Sequence, residues 1–360
     1  MFGFKKTKKL NSRQLSEKSS WYRDPRGFDI VTFVHGILGD EGKTWGDFHQ
    51  LLDSDPDLPQ LDILSWGYRT GLVPSSYQSI EMEGEALMSD LEVHASPDRE
   101  IYLVGHSMGG LVILKGLVER ILLEQGQKAP VEQIRCIVLY ATPLLGAAVA
   151  NVISFALGIH RYLRWATIGQ PKKQLRDLRQ GTFCNQLSND VVRLVYRPDQ
   201  GSALVRRSIP VRACVAKHDL FVDESSAKGV FSSPAPKILE GDHGSCKRPD
   251  HHGDERYLAL KHDLEKHLSE SFGKLCSQAL NAPDFTDRAM AAQRIDAQYG
   301  PMIEKAATLC FPGREIADDD RRDVALLVWK LAAKGAVSPA KVMSGVMADF
   351  RYRNDPRIRR

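Results

Sequence analysis

Ile101-Tyr102-Leu103-Val104-Gly105-His106-Ser107-Met108-Gly109-Gly110 is the stretch on which the fold of this chain turns. It opens apolar and β-prone, and beyond it Leu111, Leu114, Leu117, Val118 and Ile121 recur at three-to-four spacing. That pattern predicts a buried strand running abruptly into an amphipathic helix over Gly109 to Glu124. A residue at so sharp a turn needs small neighbours, because the entering and leaving backbones crowd each other; Gly105, Gly109 and Gly110 meet that need. G-x-S-x-G in this strand-to-helix context predicts that Ser107 is a nucleophile presented above a sheet.

Similar apolar runs lie on both sides, at Asp29 to Val34, Leu61 to Trp66, Glu100 to Val104, Ile134 to Tyr140 and Val211 to Ala216. Near-continuous apolar strands are those of a parallel sheet covered on both faces. Helical periodicity fills gaps between them, as in Ser79 to Val93 with Ile80, Gly84, Leu87, Met88 and Leu91. The expected class is therefore α/β, a mostly parallel doubly wound sheet with right-handed crossovers. Residues 147–200 contain no convincing strand and carry Arg161, Arg164, Lys172, Lys173, Arg176 and Arg179, so they are expected to form a helical insertion, a candidate lid. After Leu268 the pattern is helical only: Asp319 to Lys334 aligns Val324, Leu327, Val328 and Leu331, and Ser338-Pro339 starts a last helix with Val342, Val346 and Phe350. The expected organisation is a basic segment over 1–26, a sheet domain over 27–272 and a helical C-terminal module over 275–360.

Composition agrees. The 360 residues are 42% hydrophobic and 26% charged, which excludes a mainly disordered chain and suits one large domain with a smaller one. A net charge of +4 is too weak for a dedicated nucleic-acid binder. The charge sits at the ends: Lys5, Lys6, Lys8, Lys9, Arg13, Lys18, Arg23 and Arg26 at one, five arginines from Arg351 to Arg360 at the other. Such ends can touch anionic lipid headgroups, so peripheral membrane contact is kept as an option beside simple solvation. Asn11 to Ser20 is polar where a signal peptide would be apolar, and the six cysteines are thirty or more residues apart; a cytoplasmic protein with reduced thiols is expected. The uncharged stretch Cys136 to Ile159 contains Thr142-Pro143 and Gly146, and is expected to be strand, turn and helix rather than a membrane span.

Acyl transfer at Ser107 needs oxyanion donors, a base and an acid. Met108 N–H, just past the nucleophile, is one candidate donor; Ile37 N–H, in the His35-Gly36-Ile37-Leu38-Gly39 turn after the first long strand, is the other. Among the 11 histidines, His243 follows a strand-like Lys237 to Leu239, lies in a Gly-rich turn and precedes a helix, which makes it the expected base. His251 and His252 fall in a polar loop, and His262 and His267 are expected on a helix surface. Asp219, three residues past a strand, is favoured as the acid over Asp223, and Asp242 is expected to form a turn. Asp242, His243, Cys246, Asp250, His251, His252 and Asp254 are rich in ligand types, but no HExxH or CxxC spacing gathers them, so no metal or other cofactor is expected.

These pieces resemble the α/β-hydrolase superfamily, and within it the serine esterases and lipases that include serine-active-site-containing and GPI inositol-deacylase-like proteins. Val34 to Asp40 with Lys43-Thr44-Trp45 is similar to that family's first loop, and Gly105 to Leu111 to its GHSxGGL elbow. Ala141-Thr142-Pro143-Leu144-Leu145-Gly146 is similar to its G-T-P-H-x-G segment, with alanine and leucine replacing glycine and histidine. Asp219-Leu220-Phe221-Val222 with Ser226-Ala227, Asp242 to Lys247, and Asp254 to Tyr257 resemble its acid loop, histidine loop and following D-x-x-Y. The resemblance spans about residues 27–270 and implies cofactor-free ester hydrolysis through Ser107, His243 and Asp219 with an acyl-enzyme intermediate. An acyl ester, lipid included, is the expected substrate. The alternative is a signalling or defence effector whose module over 275–360 docks a protein partner.

Overall fold

A computed structural model describes residues 19–36, 39, 44–68, 80–94, 96, 99–123, 130–144, 182–196, 208–222, 224–228, 231–232, 234–313, 315–335 and 338–354. In chain order its elements are β1 (Ser20–Trp21), β2 (Ile30–Val34), α1 (Phe48–Ser54), β3 (Asp62–Trp66), α2 (Ile80–His94), β4 (Ile101–His106), α3 (Met108–Leu123) and β5 (Ile134–Tyr140). They continue with α4 (Thr182–Val191), which passes into a π turn (Val192–Tyr196), then β6 (Val211–Ala216), α5 (Glu224–Lys228), β7 (Lys237–Leu239) and α6 (Glu255–Asn281). Three more helices follow: α7 (Phe285–Cys310), α8 (Asp318–Ala332) and α9 (Pro339–Asn354).

The strands form one sheet in the order β1-β3-β2-β4-β5-β6-β7, parallel except for β1. Every residue of β2, β3 and β4 is buried, which is why those runs are apolar without alternation. Antiparallel β1 was not foreseen. Two residues are too few to show a period, and Trp21 is what holds it, buried against the sheet. The α/β class and its mostly parallel sheet are as the sequence predicts.

By its contacts the chain divides into two compact units, Met1–His49 with Asp62–Ala259, and Gln50–Leu61 with Leu260–Arg360. The first holds the sheet and a core built from β2, β4, β5, α2 and α3, including Ile30, Leu103, Leu111, Leu117, Ile137 and Leu139. The α2 and α3 backbones approach so closely that a Cβ on Gly84 would stand 2.6 Å from the Gly116 nitrogen. The second unit has its own core, where Phe272 stacks on Tyr299 at 4.3 Å among Ile295, Val324, Val328 and Val346. Asp284 caps α7 by accepting from the Thr286 and Asp287 N–H groups, and Lys261 pairs with Asp55 at 3.0 Å and Asp57 at 2.8 Å.

One expectation is corrected in this unit: His267 is buried, not a surface residue. On α6 the buried stripe runs Leu260, Leu264, Leu268 and Phe272 at helical spacing, and His267 stands one residue from Leu268 within it. Of the expected insertion, residues 147–181 and 197–200 lie outside the described residues, as do 1–18 of the basic N-terminal segment and 355–360 at the other end. No described helix is long and apolar enough to cross a membrane.

Candidate active site

Ser107 stands alone between the last residue of β4 and the first of α3, with a left-handed φ of +52°. That backbone costs a non-glycine residue roughly 1–2 kcal/mol and needs surroundings that impose it. Two hydrogen bonds clamp it: Ser107 N–H donates to the Tyr140 carbonyl at 2.9 Å, and Gly110 N–H donates to the Ser107 carbonyl at 3.1 Å. The glycines clear the space. A Cβ on Gly109 would collide with the Val34 and His35 carbonyl oxygens, and one on Gly110 with the Thr142 side chain. A Cβ on Gly105 would lie 2.7 Å from the Gly110 Cα, and one on Gly36 would lie 2.8 Å from the Ser107 Cβ. The strand end beside it is also left-handed, at Ala141 with φ +46°, where the resembled segment carries glycine.

Asp219 follows β6 and closes a tight turn by donating its N–H to the Ala216 carbonyl. Its Oδ1 accepts from Phe221 N–H at 2.9 Å and Val222 N–H at 3.0 Å, which leaves Oδ2 free to face His243 Nδ1 at 2.8 Å. His243 Nε2 in turn lies 3.0 Å from Ser107 Oγ. The Asp219 side chain is 1% exposed and that of His243 13%. Since an ionised carboxylate only accepts, the Nδ1 proton points at Asp219, and Nε2 is left as an acceptor for the serine hydroxyl. The edge of Phe221 meets the His243 ring at a centroid distance of 5.7 Å and seals one side. Three residues that sequence reasoning singled out are thus brought together from the ends of β4, β6 and β7.

Asp242 does what a turn former does. Its Oδ1 accepts from Gly244 N–H, Ser245 N–H and Ser245 Oγ–H, and the Ser245 bonds hold its carboxyl below the usual range. Met108 is the first residue of α3, and an N–H there has no acceptor within its own helix. Ile37 and the competing acid Asp223 lie outside the described residues.

Two buried bases near His243 were not given a task by the sequence. His106 Nε2 lies 2.8 Å from the His243 carbonyl oxygen and 3.2 Å from Lys247 Nζ, and that amine also donates to the Gly244 carbonyl at 3.1 Å. Burial drives the His106 imidazole well below its ordinary value, with Lys247 and His243 adding to the effect, and lowers Lys247 to about 8. Cys246, buried beside them, is pushed up to about 12 by desolvation and stays a thiol.

Of the ligand-rich run, Asp250, His251 and Asp254 gather among the described residues, with ligand atoms within 4.8 Å of one another. The donors are already engaged. Arg256 binds the Asp254 carboxylate through its guanidinium and its N–H, and His251 Nδ1 pairs with Asp250. A recess lined by Leu111, Leu114, Leu144, Leu187, Val191 and Phe231 lies among α3, α4 and the segment after β5, and Ser188 Oγ donates to the Leu144 carbonyl at its wall.

Residues 26–186 match the family described as "Putative serine esterase (DUF676)". The chain is also similar to Protein SERAC1 of mouse, 30% identical over 151 residues, with 34% of this chain and 22% of that protein covered. The human protein of that name is 29% identical over the same extent. The chain therefore spans about a fifth of the length of the curated relatives it matches. Among solved structures it is similar to alpha/beta hydrolase domain-containing protein 10 from mouse, at 14% identity and a TM-score of 0.42, over 72% of this chain and 98% of that one. It is likewise similar to an alpha/beta hydrolase superfamily protein from Enterococcus faecalis, at 13% identity and a TM-score of 0.46, again over 72% and 98%. The sheet, parallel except for β1, makes this an α/β fold, and over residues 26–186 the chain is similar to the serine esterases of that family.

Proposed function

We propose that the chain hydrolyses carboxylic esters by acyl transfer through Ser107, with His243 as general base and then acid, Asp219 as its orienting partner, and the Met108 and Ile37 N–H groups as oxyanion donors. The observation that carries this reading is the line of contacts Ser107 Oγ to His243 Nε2 at 3.0 Å and His243 Nδ1 to Asp219 Oδ2 at 2.8 Å. As Oγ attacks the ester carbonyl carbon, its proton passes to Nε2, and the imidazolium formed is stabilised by Asp219. Charge moves to the carbonyl oxygen, where each aligned N–H contributes about 3–4 kcal/mol. Collapse of the tetrahedral adduct expels the alcohol, which takes the proton from Nε2. Water, deprotonated in the same way, then releases the acid and restores the serine.

An acyl ester, lipid included, is the substrate class we favour, on the similarity of residues 26–186 to a family of serine esterases. Peripheral contact with anionic lipid through the basic ends belongs to the same reading and rests on their charge alone. The test is labelling with a fluorophosphonate probe together with hydrolysis of short p-nitrophenyl esters. Labelling should occur in the wild type and vanish in Ser107→Ala; labelling and turnover that survive in that variant would end the reading.

A further inference from the structure

His106 Nε2 faces two groups that ask opposite things of it. Toward the His243 carbonyl oxygen at 2.8 Å it must donate, and toward an ammonium at 3.2 Å it must accept. A neutral imidazole nitrogen carries either a hydrogen or a lone pair, so the two contacts exclude each other while Lys247 is charged. Loss of one proton from Lys247 removes the conflict: the amine keeps an N–H for the Gly244 carbonyl, and the ring N–H is left for His243. Both residues are buried, His106 at 6% exposure and Lys247 at 4%.

The bond at stake is a tie between two parts of the site. His106 is the last residue of β4, one position before the nucleophile, and its partner carbonyl lies 137 residues away on the residue that takes the nucleophile's proton. The bonds made by Asp242 fix the shape of the His243 turn, but each is local to that turn and none sets its distance from Ser107.

We propose that His106 and Lys247 are positioning residues for His243: His106 ties the main chain of His243 to the nucleophile's strand, and the proton on Lys247 decides whether that tie is made. The inference rests on the serine-hydrolase reading above. Burial brings Lys247 down to about 8. The charges facing it are Asp242 on its own turn and Asp219 from the loop after β6, which favour the ammonium, and Arg248, which opposes it; Cys246 is an uncharged thiol in this range. The sign follows: below that value the ammonium competes for Nε2 and loosens the tie, and above it the tie is intact.

The rate of fluorophosphonate labelling of the full chain reads this directly, because it reports Ser107 reactivity without assuming a substrate. The wild-type rate should rise about tenfold between about pH 7 and about pH 9, as the charged fraction of Lys247 falls from about nine-tenths to about one-tenth. Lys247→Met removes the competitor and should flatten the profile to within about twofold over that interval; Lys247→Arg keeps the charge and should hold the rate near the wild-type value at the acid end. A wild type without the rise overturns the proposal and needs no variant to fold. A Lys247→Met protein that melts like the wild type and keeps the tenfold rise overturns it as well. Ser107→Ala that still labels removes the underlying reading instead, so the two failures are told apart.

Discussion

Around Ser107 the main chain is positioned by taking side chains away; around His243 it is positioned by adding hydrogen bonds. At the serine, four glycines let β4, α3 and the loop after β2 meet at distances where any Cβ would clash, and the strained φ of +52° is held by that packing together with two main-chain hydrogen bonds. At the histidine, Asp242, Ser245, His106 and Lys247 bond to the turn instead. Steric clearance is rigid and insensitive to pH, whereas a hydrogen-bonded mount can be tightened or loosened by one proton. On the proposed reading, the site joins a sterically held nucleophile to a base on an adjustable mount.

The largest expected effect tests the rigid side. Ser107→Ala should lower kcat for p-nitrophenyl ester hydrolysis by about 10⁴- to 10⁶-fold with the fold intact, since the nucleophile itself is lost. Next comes the partner that orients the base. Asp219→Asn should cost about 10³- to 10⁴-fold in kcat with little change in KM, because an amide presenting N–H to Nδ1 favours the wrong tautomer. Asp242→Asn or Asp242→Ala, on the other side of the same histidine, should cost no more than about tenfold, since that carboxylate shapes the turn without touching the ring. Equal losses at the two aspartates would break the distinction between orienting and shaping.

Gly109→Ala sharpens the steric side. Its new Cβ would meet two backbone carbonyl oxygens that cannot rotate away, so about 2–3 kcal/mol of stability should be lost, read as a lower midpoint in urea unfolding. Asp242→Ala should cost only about 1–2 kcal/mol in the same measurement, as expected for bonds made on an exposed turn. If the two variants unfold alike, clearance and hydrogen bonding do equal service and the contrast drawn above is lost.

The difference also explains what could be read in advance. The glycines around Ser107 fall within six residues of one another, so the elbow was legible from ten residues, although Val34, His35 and Thr142, which crowd Gly109 and Gly110, come from other strands' ends. The parallel strands were legible for a similar reason: burial on both faces leaves an unbroken apolar run. Asp219 could be preferred to Asp223 by its nearness to a strand end and by the resemblance of Asp219-Leu220-Phe221-Val222 to a known acid loop, and His243 by its turn between a short strand and a helix. The tie between His106 and Lys247 left no trace, since 141 residues separate them and neither spacing nor composition records a contact of that kind. His267 is a different case. It stands beside Leu264 and Leu268 on a buried stripe that the periodicity alone marks, and its polarity points the other way.

What the sequence by itself determined is the set of parts: a doubly wound sheet, a serine that only a glycine-cleared turn can hold, and an acid and a histidine in later loops. Those follow from forces acting within a few residues, sterics and periodic burial. Which carboxylate oxygen faces the histidine, which nitrogen faces the serine, and which buried amine shares a histidine with the base were decided by tertiary structure alone. Hydrogen bonds between distant strand ends depend on distances of a few tenths of an ångström, and only the packed sheet sets those.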